Sequence, residues 1–267
     1  MAGNFTFYTA NQLNGNNASG ASFQVRSTTG AGVAYDATTS VIQLYDRTPQ
    51  TPIAFTTEGS IFFSSSSGNV QYNTIILQNI NFKKFEVYHN GHLTMASSVE
   101  GTLTANWNNF TSANVILQFP TTTATGVSIY VYSTTNAAPF QIGQIILCDT
   151  YYELPRNPAF ADYKPVLSGN RITKEMADGG SVVYSVSEKF EAEIGLNWVP
   201  QSVATDLLAM YRDTEPKIFI PYPTITGWNG EAWEVNWVGD YTFKHLAYDD
   251  RTNPYFKGKL KLMEVAG

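Results

Sequence analysis

Apolar and polar residues alternate along most of this chain at a two-residue period, the mark of half-buried strands. The first half carries the runs SVIQLY, SIFFS, NTIILQNI, KKFEVYH, HLTMAS, NVILQF, VSIYVYS and IGQIIL, separated by stretches rich in Ser, Thr, Asn and Gly. Many short strands spaced by turn residues predict a β-sandwich or jelly roll. Between KKFEVYH and HLTMAS stands Asn90-Gly91, the dipeptide whose positive φ angles suit a two-residue hairpin, so these two runs are expected to pair. His89 and His92 flank that turn. With no third His or Cys nearby in sequence they read as polar hairpin flanks, and no metal site is expected.

The longest alternation is SVVYSVSEKFEAEIGLNWV. Val182, Tyr184, Val186, Phe190, Ala192, Ile194, Leu196 and Trp198 fall on one face, and Ser185, Ser187, Lys189, Glu191, Glu193 and Asn197 on the other. Straight, this strand would run about 56 Å at 3.3 Å per residue. It is therefore expected to bend, to pass from one sheet to another or to project beyond the body, and Glu188 on the apolar face marks the place for a bend.

One segment breaks the strand period. In SVATDLLAMYR, Val203, Leu207, Met210 and Tyr211 recur at helical spacing, which predicts a helix near residues 203–212 with Ser202 as N-cap and Pro216 beyond its end. About ten residues make a helix that is marginal alone, so it must pack on a sheet. KIFIPYPTI and EAWEVNWVG follow, joined by a second hairpin signal at Asn229-Gly230, and then DYTFKHLAY. In the last strand Leu260 and Leu262 alternate with Lys257, Lys259 and Lys261.

Charge divides the chain. Of its Asp, Glu, Lys and Arg residues, ten lie in 1–150 and twenty-eight in 151–267, and Pro155, Pro158 and Pro165 mark the junction. Two domains are expected, 1–152 and 153–267, both mainly β, the first a jelly-roll sandwich and the second a sandwich with one flanking helix. A net charge of -6 offers no basic footprint for nucleic acid. No run approaches the roughly 20 apolar residues that span a bilayer, and the first residues lack the basic-then-apolar pattern of a secretory signal. Cys148, the sole cysteine, leaves no disulfide within the chain and alternates with Ile146 as a buried residue would.

Two resemblances follow from these patterns. The stretch ending in Gln141, Ile142, Gly143 and Gln144 resembles the closing strands of galactose-binding-like jelly rolls, which often finish on an isoleucine-glycine-x-isoleucine strand. That resemblance implies glycan binding by loops at one end of the sandwich. Residues 170–267, in the order long strand, short helix, hairpin, strand, strand and with the ending KGKLKLMEV, resemble the tail-tube and distal-tail proteins of bacteriophages. This second resemblance implies a virion protein, made in the host cytoplasm, that closes into a ring of six copies beside other tail proteins. A jelly roll ahead of the tube-like part departs from a plain tube protein and points to a tail-tip or adaptor component.

Enzyme signatures are missing. There is no phosphate-cradling Gly loop, no GxSxG, no HExxH and no cysteine paired with a base. Glu231 and Glu234 have opposite strand parity, and Asp249-Asp250 reads as a turn, so neither pair suggests a glycosidase. No cofactor is expected. Two functional readings stay open: a structural tail protein assembling through strand edges, and a module recognising host cell-surface glycans. For the first, Lys257, Lys259, Lys261, Glu191 and Glu193 are the candidate assembly residues. For the second, Trp107, Tyr130 and Tyr132 are candidates to stack on a sugar.

Overall fold

The computed structural model describes residues 4–13, 24–27, 44, 52–55, 59–64, 69–82, 85–89, 102–107, 114–124, 126–131, 140–176, 180–221, 232–248 and 254–265. The fold is mainly β, with one α-helix among the described residues. Two compact units are present. Unit 1 comprises 1–153, 220–232 and 267, and unit 2 comprises 154–219 and 233–266.

Unit 1 is a sandwich. One sheet orders β2 (Gln24–Ser27), β4 (Gly59–Ser64), β9 (Gly126–Val131), β6 (Phe85–His89) and β7 (Thr102–Trp107). The other orders β11 (Gln144–Cys148), β5 (Val70–Gln78) and β8 (Val115–Ala124). Alternate residues of both sheets meet in one core: Ile75, Leu77, Val115, Leu117, Ile145 and Leu147 from the smaller, Phe85, Val87, Val127, Ile129 and Val131 from the larger. This is the period-two pattern of the sequence turned into a closed interior. Burial of this kind contributes about 1.5–3 kcal/mol per large aliphatic or aromatic side chain.

The isoleucine-glycine-x-isoleucine segment is a passage between two strand pairings. β10 (Phe140–Ile142) pairs with β3 (Ile53–Phe55), while β11 pairs with β5. Gly143 lies between them, its amide donating to the Gln78 carbonyl at 3.0 Å. Cys148, in the middle of unit 1, is fully buried, and burial pushes its thiol well above the ordinary range. Near the start of the chain, β1 (Thr6–Tyr8) pairs with β12 (Thr150–Glu153). Buried Asn11 then behaves like a short strand: its Nδ2 donates to the Ile145 carbonyl at 3.0 Å and its Oδ1 accepts from the Leu147 amide at 3.0 Å. Two backbone groups of β11 are satisfied by a single side chain.

The first arm of the Asn90-Gly91 hairpin signal, β6, has both of its neighbours among the described strands. His89 is in register with Thr102, and β6 is flanked along its whole length by β7 on one side and β9 on the other. Asn-Gly permits a turn at its own position, but the strand that fills an edge is decided by long-range packing. The turn itself, HLTMAS, His92, Asn229-Gly230 and all of SVIQLY but Leu44 lie outside the described residues.

Unit 2 is built on the long strand. β14 (Ser181–Pro200) is a strand of 20 residues. It pairs on one side with β13 (Tyr163–Glu175) and on the other with β18 (Pro254–Glu264). Beyond β18 lie β16 (Trp233–Trp237), then β15 (Lys217–Ile220), while β17 (Lys244–Tyr248) pairs with the first part of β18. Gly258 lets Phe243 press on β18, where an added Cβ would lie 2.5 Å from the Phe243 ring. The expected irregularity near Glu188 is a bulge: Asn170 faces Ser187 and Arg171 faces Ser185, which leaves Val186 as the extra residue.

The core of unit 2 uses Phe190, Ala192, Ile194 and Leu196 of β14 with Val235, Leu260 and Leu262. Phe190 stacks on Trp233 at a centroid distance of 3.9 Å and an interplanar angle of 12°. α1 (Gln201–Arg212) follows β14 directly and buries Ala204, Leu207 and Met210. Its N-cap is Pro200, without a side-chain cap, so Ser202 sits inside the first turn instead of closing it. The reason is that β14 continues to Pro200, whose φ of -59° already suits helix entry. Tyr241 donates its hydroxyl to the Ala204 carbonyl at 2.7 Å, and Lys217 pairs with Asp213 at 2.9 Å. Both contacts tie the helix region to the chain that follows it.

Candidate functional sites

Two features of unit 2 stand out from ordinary packing. The first is the edge of β13. This strand pairs with β14 on one side and is terminal in its sheet. It exposes Val166 and Leu167 at 55% and 63%, next to exposed Pro165. Long terminal strands with exposed aliphatic residues template pairing with another chain unless something covers them.

The sequence-predicted assembly residues are brought together on the sheet face beside this edge. Glu193 is in register with Lys164 of β13 and with Lys261 of β18, and Glu191 with Val166. Lys257, Lys259 and Lys261 are exposed. Lys259 Nζ meets Glu193 Oε1 at 2.8 Å, and Ser168 Oγ donates to Glu191 Oε1 at 3.0 Å. One lysine thus finds its carboxylate within the chain. The hydrogen bond from Lys259, with the charges of Lys259, Lys164 and Lys261, holds the Glu193 carboxyl below its ordinary range. A depressed carboxylate stabilises the fold above its unfolded pKa, and the contribution is lost as pH falls through the folded value. The Glu193 side chain is 38% exposed, so screening keeps the pair below about 1 kcal/mol. Glu193→Gln is accordingly expected to lower stability by less than about 1 kcal/mol at pH 7 in low salt, with the gap closing toward pH 3. Urea midpoints across that pH range, at low and high salt, check this.

The second feature is a groove of about 500 Å³ between the segment after Leu154 and the end of β14. Leu154, Pro158, Leu196 and Val203 give it apolar walls, and Arg156, Asp162, Asn197 and Trp198 line it with polar and aromatic groups. Its shape comes from a bulge. Leu196 faces Gly258 and Val199 faces Phe256, so β14 carries one residue more than β18 across this stretch. Trp198 takes φ +56°, a left-handed value that is costly for a bulky residue. Gly195 lets Asp162 close over the strand, since a Cβ there would stand 3.2 Å from the Asp162 Cβ. Asn197 Nδ2 donates to Asp162 Oδ2 at 3.4 Å, and the Arg156 guanidinium donates to the Asn197 carbonyl.

Trp198 corrects the sequence reading. Strict alternation puts it on the apolar face with Leu196. The extra residue reverses the parity, so Val199 enters the core at 5% exposure while Trp198 stands 55% exposed, edge-on to Tyr255. The signal that marks the spot is Pro200, which ends the strand directly after a cluster of bulky residues.

The sugar-stacking candidates of unit 1 fare differently. Tyr130 is 2% exposed, so its ring has no face to offer a ligand; parity places it opposite the core residues of β9, but that face is covered as well. Trp107 closes β7 in the same row as Phe85 and Val131. Tyr132 lies outside the described residues.

No family model matches the sequence, and no curated protein matches it. Among solved structures, about half of the chain is similar to β-sandwich carbohydrate-binding modules. The family 32 module of NanJ from Clostridium perfringens, solved in complex with galactose, is 14% identical over 53% of this chain and 99% of that one, with a TM-score of 0.38. The chitosan-binding module 1 from a chitosanase/glucanase of Paenibacillus sp. IK-5 is 11% identical over 52% and 98%, with a TM-score of 0.40. A fucosidase of Ruminococcus gnavus in complex with fucose is 16% identical over 53% of this chain, with a TM-score of 0.38, and the match spans 27% of that enzyme's length.

Proposed function

We propose that the chain is a carbohydrate-binding protein that recognises glycans on a host cell surface. The observation that carries this reading is the register of the larger sheet in unit 1. It sets Trp107 at one end of the sandwich, in the row where the chain leaves β9 at Val131 toward Tyr132. Neighbouring strands are about 4.8 Å apart, so Trp107 and Val131 stand roughly 10 Å from each other with Phe85 of β6 between them. A tryptophan carried at one rim of a rigid sandwich is suited to meeting the apolar face of a sugar ring. No catalytic step and no cofactor belong to the proposal. Binding of the full chain to immobilised host-envelope glycans, compared with Trp107→Ala, tests it. Reduced binding by a folded variant supports the reading, and unchanged binding counts against this end of the sandwich.

The terminal place of β13 among the described strands, with Val166 and Leu167 exposed, favours a second reading that is compatible with the first. In it, unit 2 joins copies of the chain into a ring, with six copies implied by the tail-protein resemblance, as part of a bacteriophage tail alongside other tail proteins. Ring closure satisfies an exposed strand edge without leaving a free end. Labelling of purified virions with an antibody against the chain tests the setting, and absence from particles removes it.

A further inference from the structure

We propose that the groove beside Trp198 is a second carbohydrate site, one that belongs to unit 2 and takes a pyranose ring. The inference rests on the carbohydrate reading above, but it places a site in the other unit, on residues that no strand alternation singles out.

Two features of the groove work against the fold and are offset only in part, by burial of Val199 and by the contact of Trp198 with Tyr255. A tryptophan is held at φ +56°, where only glycine is at ease, and more than half of its surface is left in water. Without the bulge the indole would continue the buried row of Phe190, Ala192, Ile194 and Leu196. Strain that carries a large aromatic ring out of a core, into the mouth of a preformed cavity, points to an occupant.

The chemistry around the ring selects the occupant. The indole edge rests against Tyr255, with ring centroids 5.9 Å apart, which fixes the orientation of the platform. Around it stand a guanidinium, a carboxylate and a primary amide, from Arg156, Asp162 and Asn197; the Asn197 amide donates to the Asp162 carboxylate, and the Arg156 guanidinium donates to the Asn197 backbone carbonyl. A pyranose presents an apolar patch of C–H groups on one face and hydroxyls around its rim. The patch suits the indole, and the rim suits planar side chains that donate and accept in pairs. A volume near 500 Å³ falls within the range of small-ligand sites. An apolar ligand without hydrogen-bonding groups would leave the Asp162 carboxylate and the Arg156 guanidinium without new partners, whereas a saccharide offers hydroxyls to both.

The test uses the full chain with a panel of methyl pyranosides, read by saturation-transfer NMR, together with a glycan array. Trp198→Gly removes the platform while supplying the residue that tolerates φ +56°, so its thermal midpoint should equal or exceed that of the wild type. Trp198→Phe keeps a smaller ring, and Asp162→Asn keeps the shape without the charge. The expected result is glycoside contact in the wild type, at least about tenfold weaker binding in Trp198→Gly (about 1.4 kcal/mol) and partial retention in Trp198→Phe. If the array shows binding that Trp198→Gly leaves within twofold of wild type, the groove is overturned and the carbohydrate reading stands. If the wild type contacts no glycoside and binds no glycan, both are overturned. Displacement of a glycoside by a proline-rich peptide at lower concentration would also overturn the assignment, since the groove would then be a peptide site.

Discussion

Phe190→Ala is expected to destabilise unit 2 by about 3–5 kcal/mol, the range for removing a fully buried phenylalanine. Phe190 is 1% exposed, stacks on Trp233 at 3.9 Å and lies 6.1 Å from the Phe219 ring. It belongs to β14, the strand that β13 and β18 both pair with. Its loss leaves a cavity at the junction of β14, β15 and β16 that the flat Trp233 ring cannot fill by shifting. Typical stabilities of small units are 5–15 kcal/mol, so the substitution removes a large share of the total. Urea unfolding followed by tryptophan fluorescence reads the effect directly, because Trp233 reports on the same stack. A cost under about 1 kcal/mol would mean that the stack does not carry the core.

The second large effect concerns association. Replacing both Val166 and Leu167 with lysine is expected to convert assembled protein to monomer while each unit stays folded. The two side chains are more than half exposed on a terminal strand, so they hold little of the monomer's stability. Burial in an interface is worth about 1.5–3 kcal/mol for each aliphatic side chain. Losing both lowers the association constant by about two to four powers of ten. Charged residues on an edge strand also oppose pairing with any other strand. Sedimentation velocity of wild type and variant over a concentration series measures this. A wild-type chain that stays monomeric throughout, or a variant that associates as the wild type does, contradicts the assembly reading.

How much of this was legible in the sequence depended on whether local pattern or distant packing made the decision. β14 and β18 were legible because each has one wet and one dry face along most of its length, so Phe190, Ala192 and Ile194 in one and Leu260 and Leu262 in the other kept their parity. α1 was legible because no other segment has a helical period. Its cap was not, because Pro200 both ends the strand and begins the helix. The neighbours of β6 were hidden for another reason: they arrive from residues 102 and 126, and no local pattern beside β6 points that far along the chain. Tyr130 was a stacking candidate by residue type, and nothing in its own strand announces that the face opposite the core is covered too.

The groove was the least legible feature. It joins residues 154–162 to residues 195–203, and the bulge that exposes Trp198 inverts the alternation used to read the strand. A period-two reading has no means of detecting one extra residue when both parities carry bulky apolar side chains, as Leu196, Trp198 and Val199 do. Glycine at 195 and proline at 200 frame the anomaly, but only the paired strand reveals it.

The most direct test of the central claim is glycan binding by the full wild-type chain. Purified protein is applied to an array of host-envelope glycans and titrated against each positive glycan, with the free saccharide as competitor. The account predicts saturable binding to at least one glycan class, displaced by that saccharide. Absence of binding to every glycan down to a Kd of ~1 mM, about -4 kcal/mol, would contradict it.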